Sequence, residues 1–204
     1  MIYAIVLILF GSALIYFSSG ISALILGWTA LVWYNLFYTP LKRKFALAVV
    51  PGSIIGAIPP LIGWVAAGGY LWDPQALALA LFFFVWQIPH FWLLLLILSP
   101  DYERAGFPTL TKIFSDAQLS RITFMWIIAL FISSLLIPLF SFSAHIITLI
   151  LLLILGMWLI YSTRRIVFDY RNKVTFKKAF YLINIYVLIV VVILSIDKLI
   201  FRQL

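Results

Sequence analysis

Long apolar runs alternate with short polar segments along nearly the whole chain. A helix needs about 20 mostly apolar residues to cross a bilayer, because its backbone groups must be hydrogen-bonded within the segment. Seven runs approach this length: residues 2–17, 21–38, 46–70, 75–99, 122–140, 145–162 and 179–200. The pattern predicts an all-α polytopic membrane bundle with seven transmembrane helices, forming a single domain over residues 1–204.

The composition supports this class. Of the 204 residues, 66% are hydrophobic and 10% are charged, and the mean hydropathy is +1.19. The sequence contains no cysteine, which excludes disulfides, thiolate metal sites and cysteine nucleophiles. The first run lacks the basic residues and the cleavage pattern of a signal peptide, so we interpret it as a retained helix.

The meaning of the net charge of +8 depends on where the basic residues lie. Three polar segments, at 42–44, 104–121 and 164–178, hold 12 of the 14 lysines and arginines, and alternation of the helices puts all three on one side. Only Lys198 and Arg202 fall on the other side. Because cytoplasmic loops carry such an excess, we predict a multi-pass protein of the cell inner membrane with a cytoplasmic N-terminus. The same pattern disfavours nucleic acid as a partner.

The third run combines small residues with a pair of prolines. Gly52 and Gly56 have the spacing that lets helices approach closely. Pro59 and Pro60 cannot donate hydrogen bonds to the carbonyl groups four residues earlier, so we expect a bend or an interruption at the prolines. Such a kink serves either packing alone or a functional site, and this run does not distinguish the two.

The fourth run contains FVWQIPHFWLLLL and carries polar groups at membrane depth. Pro89 frees the carbonyl group of Val85, and Gln87 and His90, three residues apart, project from one helical face. Polar groups at this depth usually face a protein-lined cavity, although they can also simply hydrogen-bond neighbouring helices. An imidazole in such a cavity could ligate iron or transfer a proton, and the residue type does not choose between these.

Charged residues follow the second and fourth runs on the predicted inner side. The second run ends in YNLFYTPLKRK, where Lys42 follows Tyr38 by four residues and Arg43 comes next. Cations at the mouth of a cavity suit a diphosphate, although such residues also anchor helix ends. We expect the fourth helix to end near residue 99. Beyond it, Asp101 and Glu103 could hold Mg²⁺ together with a substrate phosphate, unless they are merely solvated.

Four segments in order, YTPLKRK, GAIPPLIGWVAAGG, WQIPHFW and DYERAGFPTL, resemble the signature segments of a known family. This family is the heme O synthases, which are the protoheme IX farnesyltransferases among the UbiA-type intramembrane prenyltransferases. The resemblance is strong over residues 35–110 and looser in the last helix. GAIPPLIGW and WQIPHFW are specific to this branch, whereas the lysine and acidic elements are shared more widely.

The resemblance implies a helical bundle in the lipid bilayer around a central cavity. There, farnesyl diphosphate is ionised with Mg²⁺, and the allylic cation alkylates a vinyl group of heme B to give heme O for terminal oxidases. Catalytic roles would fall to Tyr38, Lys42, Arg43 and Asp101, and Mg²⁺ binding to Asp101 and Glu103. Substrate contacts would fall to Asn35, Trp86, Gln87 and His90, with His90 against the heme. The aromatic rings of Tyr38, Trp86 and Phe91 would shield the cation from water.

The chain departs from the family pattern. Members normally have nine helices and an N-x-x-x-D-x-x-x-D motif on an early helix, but none of the three asparagines here, Asn35, Asn172 and Asn184, is followed by aspartate at the fourth position. The chain therefore resembles the seven C-terminal helices: a fragment, an alternative start, one part of a split enzyme or a degenerate relative. We expect weak or no turnover from it alone, and a complementing N-terminal segment as a candidate partner.

Two other hypotheses stay open at this point. The chain could be a non-catalytic heme- or lipid-binding membrane protein that keeps the cavity without the chemistry. It could instead be a UbiA-type prenyltransferase that uses another aromatic acceptor. The WQIPHFW segment favours the heme branch over this second alternative.

Overall fold

The structure is a computed structural model that describes residues 2–140 and 146–201, and all regular secondary structure in them is helical, as predicted. The helices are α1 Ile2–Val32, α2 Thr39–Leu41, α3 Val49–Gly52, α4 Ile54–Ala66, α5 Pro74–Arg104, α6 Asp116–Leu139, α7 Ile146–Thr163, α8 Arg165–Phe168 and α9 Lys173–Phe201. A π-helical segment, Trp33–Tyr38, joins α1 to α2. Two predicted features, a helix start at His145 and Arg202 on the outer side, lie outside the described residues.

Six helical stretches among the described residues are long and apolar enough to cross a membrane, one fewer than predicted. The difference lies in the first, Ile2–Leu41, whose 40 residues contain both of the first two predicted runs. Gly20 interrupts this stretch with φ +80°, and a Cβ built on Gly27 would lie 3.4 Å from Cδ1 of Ile15. An unbroken helix would separate these two positions by about 18 Å. The chain therefore reverses at Gly20, and the two apolar runs form an antiparallel hairpin.

Helix α5 is the centre of the bundle, because it packs against α4, α6 and α9. Together with α6, α7 and α9 it forms one hydrophobic core. Lipid is as apolar as the core, so close packing and buried polar pairs hold membrane helices together. Two such pairs fix α9: the hydroxyl oxygens of Ser134 and Tyr186 are 2.7 Å apart, and Thr148 Oγ1 donates to Asp197 Oδ1 at 2.5 Å.

The proline pair does not interrupt α4 where we expected. The helix runs through Pro59 and Pro60, and the interruption lies upstream at Ser53, between α3 and α4. A proline ring acts on the turn before it, because it removes a hydrogen bond to the carbonyl group four residues earlier and crowds that group. In the preceding turn, the Gly56 N–H donates to the Ser53 carbonyl at 3.1 Å. This hydrogen bond spans three residues, whereas an α-helical hydrogen bond spans four, so the turn is wound more tightly than an α-helix.

Several helices extend further into the polar segments than predicted. Helix α5 continues through Pro100 to its end, so the predicted helix end near residue 99 is wrong. Helix α6 begins with a capping box, in which Ser115 Oγ accepts from the Gln118 N–H at 3.3 Å and Gln118 Oε1 accepts from the Ser115 N–H at 3.0 Å. Such caps satisfy the free N–H groups of a first turn. The helices can therefore extend beyond the apolar runs.

Contacts at the helix ends place the connections on two opposite faces of the bundle. The Gly20 turn lines one pocket together with Gly69 and Tyr70, so the turn after the first predicted run and the turn after the third lie on the same face, as alternation of the helices requires. At the other face, the side chains of Tyr38 and Tyr102 lie near each other, which makes the end of the first stretch and the end of α5 neighbours. Which of the two faces is cytoplasmic stays a prediction.

Candidate functional site

One end of the bundle carries a cation held by tyrosines. Lys42 Nζ lies 6.0 Å from the ring centroid of Tyr34 and 5.6 Å from that of Tyr38. A cation at about 6 Å from an aromatic face is attracted by the ring quadrupole, so the two rings help to localise the ammonium group. We use the term rim for the side chains at this end, which are Tyr34, Tyr38, Lys42, Asp101 and Tyr102.

Two further predicted site residues lie at the edge of the rim. Arg43 is exposed in the turn after α2. Asn35 is also exposed, and its Nδ2 donates to the carbonyl group of Leu31 in the preceding turn at 2.8 Å. Asn35 is therefore engaged with its own helix. Its predicted substrate contact stays a prediction.

The π-helical segment is anchored by contacts with α3. Trp33 Nε1 donates to the carbonyl group of Pro51 at 2.9 Å. The ring of Tyr38 lies directly over Gly52, where a Cβ would come within 2.6 Å of it. Short π-helical segments occur often at functional sites. Gly52 therefore makes room for a rim tyrosine, which explains the first glycine of the small-residue motif formed by Gly52 and Gly56.

The two predicted Mg²⁺ ligands have different surroundings. Asp101 is exposed, whereas Glu103 Oε1 accepts hydrogen bonds from Thr109 at 3.2 Å and from Thr111 at 2.8 Å. Residues two apart on an α-helix project in directions about 200° apart, so the two carboxylates do not converge. Glu103 holds the loop after α5, and Asp101 is the carboxylate available at the rim. Among residues 2–140 and 146–201, no group of three or more His, Cys, Asp or Glu side chains could hold a metal ion.

Trp86 and Gln87, in the middle of α5, carry buried polar atoms that no described residue hydrogen-bonds. These atoms are Nε1 of Trp86 and Oε1 of Gln87. Gln87 lies so close to Gly56 of α4 that a Cβ on Gly56 would clash with its amide. An unpaired buried polar group costs about 1–3 kcal/mol, a cost that is removed where a bound molecule supplies the partner. Both residues therefore suit a substrate contact.

His90 faces α9 inside the bundle. Its Nδ1 lies 3.0 Å from Oδ1 of Asn184. Three aromatic rings surround the imidazole, with centroids at 4.9 Å for Trp86, 4.8 Å for Phe180 and 5.4 Å for Phe91. The alternative that His90 hydrogen-bonds a neighbouring helix is therefore realised. It does not exclude a site, because only one of the two ring nitrogens is used.

The predicted site residues thus fall into two groups on one continuous helix and its neighbours. The rim holds Tyr38, Lys42 and Asp101, and the centre holds Trp86, Gln87 and His90. Along α5, Asp101 lies roughly 16 Å from His90. A ligand bound at the rim would extend about this far to reach the imidazole.

An outer cavity of about 400 Å³ lies beyond the centre, towards the face opposite the rim. Its walls include Pro60, Trp64, Phe83 and Asp197. The ring of Phe83 contacts that of Trp86, with centroids 6.1 Å apart. Free and mostly apolar space therefore adjoins the central polar groups.

Sequence reasoning missed two residues of this arrangement. Asn184 stands alone among apolar residues in YLINIYVL, and a polar residue within a membrane helix is a functional candidate, so this signal could have found it. Tyr34 carries no comparable signal, because an aromatic residue near a helix end is ordinary in a membrane protein.

Comparison with known proteins identifies the family. Residues 1–193 match the UbiA prenyltransferase family. Three similar proteins are each named protoheme IX farnesyltransferase. That of Geobacter sulfurreducens is 45% identical over 120 residues, which are 59% of this chain and 44% of the relative. That of Oleidesulfovibrio alaskensis is 33% identical over 132 residues, 65% of this chain and 46% of the relative.

The third, from Aquifex aeolicus, is 46% identical over 94 residues, 46% of this chain and 32% of the relative. The chain thus spans less than half the length of these curated relatives. No solved structure matches it. Because the family match covers nearly the whole chain and agrees with the helical architecture, this chain belongs to the UbiA prenyltransferase family.

Proposed function

We propose that this chain forms part of a protoheme IX farnesyltransferase, which transfers farnesyl from farnesyl diphosphate to a vinyl group of heme B and gives heme O. The observation that carries the proposal is the combination of a cationic rim with polar groups inside the bundle, both reached along α5. The names of the relatives support it. The rim binds the diphosphate, and the centre binds the macrocycle.

The donor is activated by charge compensation at the rim. When the C1–O bond of farnesyl diphosphate breaks, the electron pair leaves with the diphosphate and C1 becomes an allylic cation. Lys42 and Arg43 stabilise the negative charge that develops. The terminal vinyl carbon of heme B bonds to C1, water adds to the cation formed at the inner vinyl carbon, and a proton leaves, so that a hydroxyl group remains.

We propose Mg²⁺ as the cofactor of the donor site. The exposed carboxylate of Asp101 fits, because Mg²⁺ commonly takes one or two carboxylates and completes its shell with water and substrate phosphate. Glu103 fits less well, because two threonine hydroxyls already donate to its Oε1. When bound, Mg²⁺ would neutralise charge on the leaving diphosphate. The carboxylates of the N-x-x-x-D-x-x-x-D motif would come from a complementing N-terminal segment.

The acceptor is bound by the central group. His90 contacts the heme, and Gln87 and Trp86 offer their unpaired Oε1 and Nε1 atoms to polar atoms of the substrates. The rings of Tyr38 and Phe91 exclude water from the allylic cation and can stabilise it by cation–π interaction. The outer cavity accommodates apolar parts of the substrates that extend beyond His90.

We place the protein in the cell inner membrane with the rim at the cytoplasmic side. The rim face carries the three basic segments, and the positive-inside rule assigns such a face to the cytoplasm. Farnesyl diphosphate, a charged and water-soluble donor, then reaches Lys42 directly from the aqueous phase.

The proposal is tested by reconstitution in a heme O-deficient host. The chain is joined to an upstream two-helix segment that bears the aspartate motif, and heme O is measured by mass spectrometry. We expect heme O from the joined protein and a loss of at least a hundredfold in Lys42→Ala and in Asp101→Ala, since transition-state charge stabilisation typically contributes this much. Lys112→Ala, which removes an exposed basic residue of the loop, is the matched control. Full activity in both rim variants would refute these roles.

A second candidate function, heme binding without alkylation, is favoured by one observation, the free polar atoms of the central group. Nε1 of Trp86 and Oε1 of Gln87 are unpaired among the described residues, and they can contact a ligand whether or not the rim activates a donor. Heme binding that depends on His90, with no heme O in any joined form, would support this alternative.

A further inference from the structure

Asn184 makes two hydrogen bonds that determine the orientation of its amide. Its Nδ2 donates to the carbonyl oxygen of Phe180 at 2.6 Å, and its Oδ1 lies 3.0 Å from Nδ1 of His90. A backbone carbonyl only accepts, so the amide NH₂ must face Phe180. The reversed orientation would set two acceptors against each other. The oxygen of Asn184 therefore faces the imidazole.

This orientation determines which nitrogen of His90 carries the proton. The Asn184 oxygen only accepts, so Nδ1 must be the donor, and in the neutral ring Nε2 then keeps a free lone pair. No residue that the structure describes is hydrogen-bonded to Nε2. His90 thus has one nitrogen engaged by α9 and one available for a ligand.

Ring packing keeps the imidazole in this orientation. Trp86 and Phe180 contact it at centroid distances of 4.9 Å and 4.8 Å, and Phe91 meets it edge-on at 5.4 Å. Rotation of the ring would break the bond to Asn184 and disturb these contacts. Phe180 is used twice, because its carbonyl group holds the Asn184 amide and its ring packs on His90.

We infer that Asn184 is a positioning residue that holds the proton of His90 on Nδ1 and presents Nε2 as an iron ligand. Histidines that bind metals almost always donate their other N–H to a fixed acceptor, which sets the tautomer and the ring orientation. Only the identity of the ligand, heme iron, rests on the proposed function. The tautomer is a property of the protein alone.

The tautomer can be measured directly, because the chain has only two histidines, His90 and His145. The full chain is labelled with ¹⁵N-histidine and reconstituted in lipid, and the nitrogen shifts are recorded by NMR, with His145→Gln to assign the signals. In the wild type we expect a protonated Nδ1 and an unprotonated Nε2 for His90. An unprotonated Nδ1 would overturn the inference.

Variants separate positioning from general stability. Asn184→Leu removes the acceptor, and we expect loss of the single tautomer in favour of a mixture or of protonated Nε2. Asn184→Asp keeps an acceptor and should keep Nδ1 protonated. Tyr186→Phe is the matched control, because it removes another buried hydrogen bond of α9, that to Ser134, without touching His90. An unchanged Nδ1–H tautomer in Asn184→Leu would also overturn the inference.

Hemin titration then tests the ligand, with the optical spectrum of histidine-bound iron as the readout. We expect binding in the wild type and in Tyr186→Phe, binding weaker by about 10- to 100-fold in Asn184→Leu, and no histidine-ligated spectrum in His90→Ala. If the tautomer is as stated but hemin gives no such spectrum, iron ligation and the heme part of the proposed function fail together, and the positioning role of Asn184 stands. If hemin binds equally well to Asn184→Leu, the positioning role fails.

Discussion

At the residue scale, the small-residue motif turns out to accommodate side chains of the site. Gly52 leaves room for the ring of Tyr38, and Gly56 leaves room for the amide of Gln87. From the motif alone we expected close approach of two helices. The approach is confirmed, but what it serves is the placement of one rim residue and one central residue.

The sequence identified Gln87 and His90 because polar residues are conspicuous within an apolar run. It did not show how the two differ. Gln87 packs against α4, whereas His90 is bonded to Asn184, which lies 94 residues further along the chain. Periodicity predicts that two residues share a helical face. It does not predict which helix covers that face, because this depends on the packing of the whole bundle.

Tyr38 offers a test of how the Lys42 ammonium is held. In Tyr38→Leu the ring is lost, and we expect the affinity of the joined protein for a non-hydrolysable farnesyl diphosphate analogue to fall about two- to fivefold, which corresponds to a cation–π energy of roughly 0.5–1 kcal/mol. Tyr38→Phe keeps the ring and should bind like the wild type. Calorimetry measures both. A comparable loss in the phenylalanine variant would assign the effect to the hydroxyl group instead.

At the element scale, the existence of the helices was predictable and their ends were not. Runs of apolar residues identify membrane helices reliably, since the bilayer leaves the backbone few alternatives. The ends depend on local features, such as the capping box at Ser115 and the threonine bonds to Glu103 after α5. The reversal at Gly20 likewise depends on one residue with positive φ. A single glycine between two apolar runs does not by itself predict such a reversal.

Gly156 tests the packing of α7 on α6. A Cβ at this position would overlap the ring of Phe131, which is buried and has little room to move. We expect Gly156→Ala to lower the free energy of unfolding by about 1–3 kcal/mol through overpacking, as measured by denaturant titration in mixed micelles.

Gly63→Ala is the matched control for this change. Gly63 lies within α4, and a Cβ there would have no neighbour within 4 Å. Alanine favours a helix over glycine by about 1 kcal/mol, so we expect this variant to be unchanged or slightly more stable. Similar stabilities of the two variants would contradict the observed packing of α7.

At the scale of the whole molecule, the charge pattern and the positions of the helix ends assign the same connections to the same face of the bundle. The sequence placed the basic segments on one face by alternation. The structure brings the ends of the first stretch and of α5 together, as Tyr38 and Tyr102 show. This agreement was predictable, because alternation across a bilayer leaves two faces only.

Cysteine labelling can test this sidedness, since the natural chain has no cysteine and gives no background signal. We expect Lys44→Cys and Arg104→Cys to react with an impermeant maleimide only in inverted vesicles, and Tyr70→Cys and Trp72→Cys only in right-side-out vesicles. All four positions are exposed. Labelling of Lys44→Cys and Tyr70→Cys from the same side would contradict the topology.

The placement of both Asp101 and His90 on α5 has a consequence for how substrates enter. One continuous helix carries both residues, so its length sets the spacing between them. Under the proposed function, a flat macrocycle would have to pass between α5 and its packed neighbours α4 and α9 to reach His90, and an inserted residue between His90 and Asp101 would rotate one side chain against the other by about 100°.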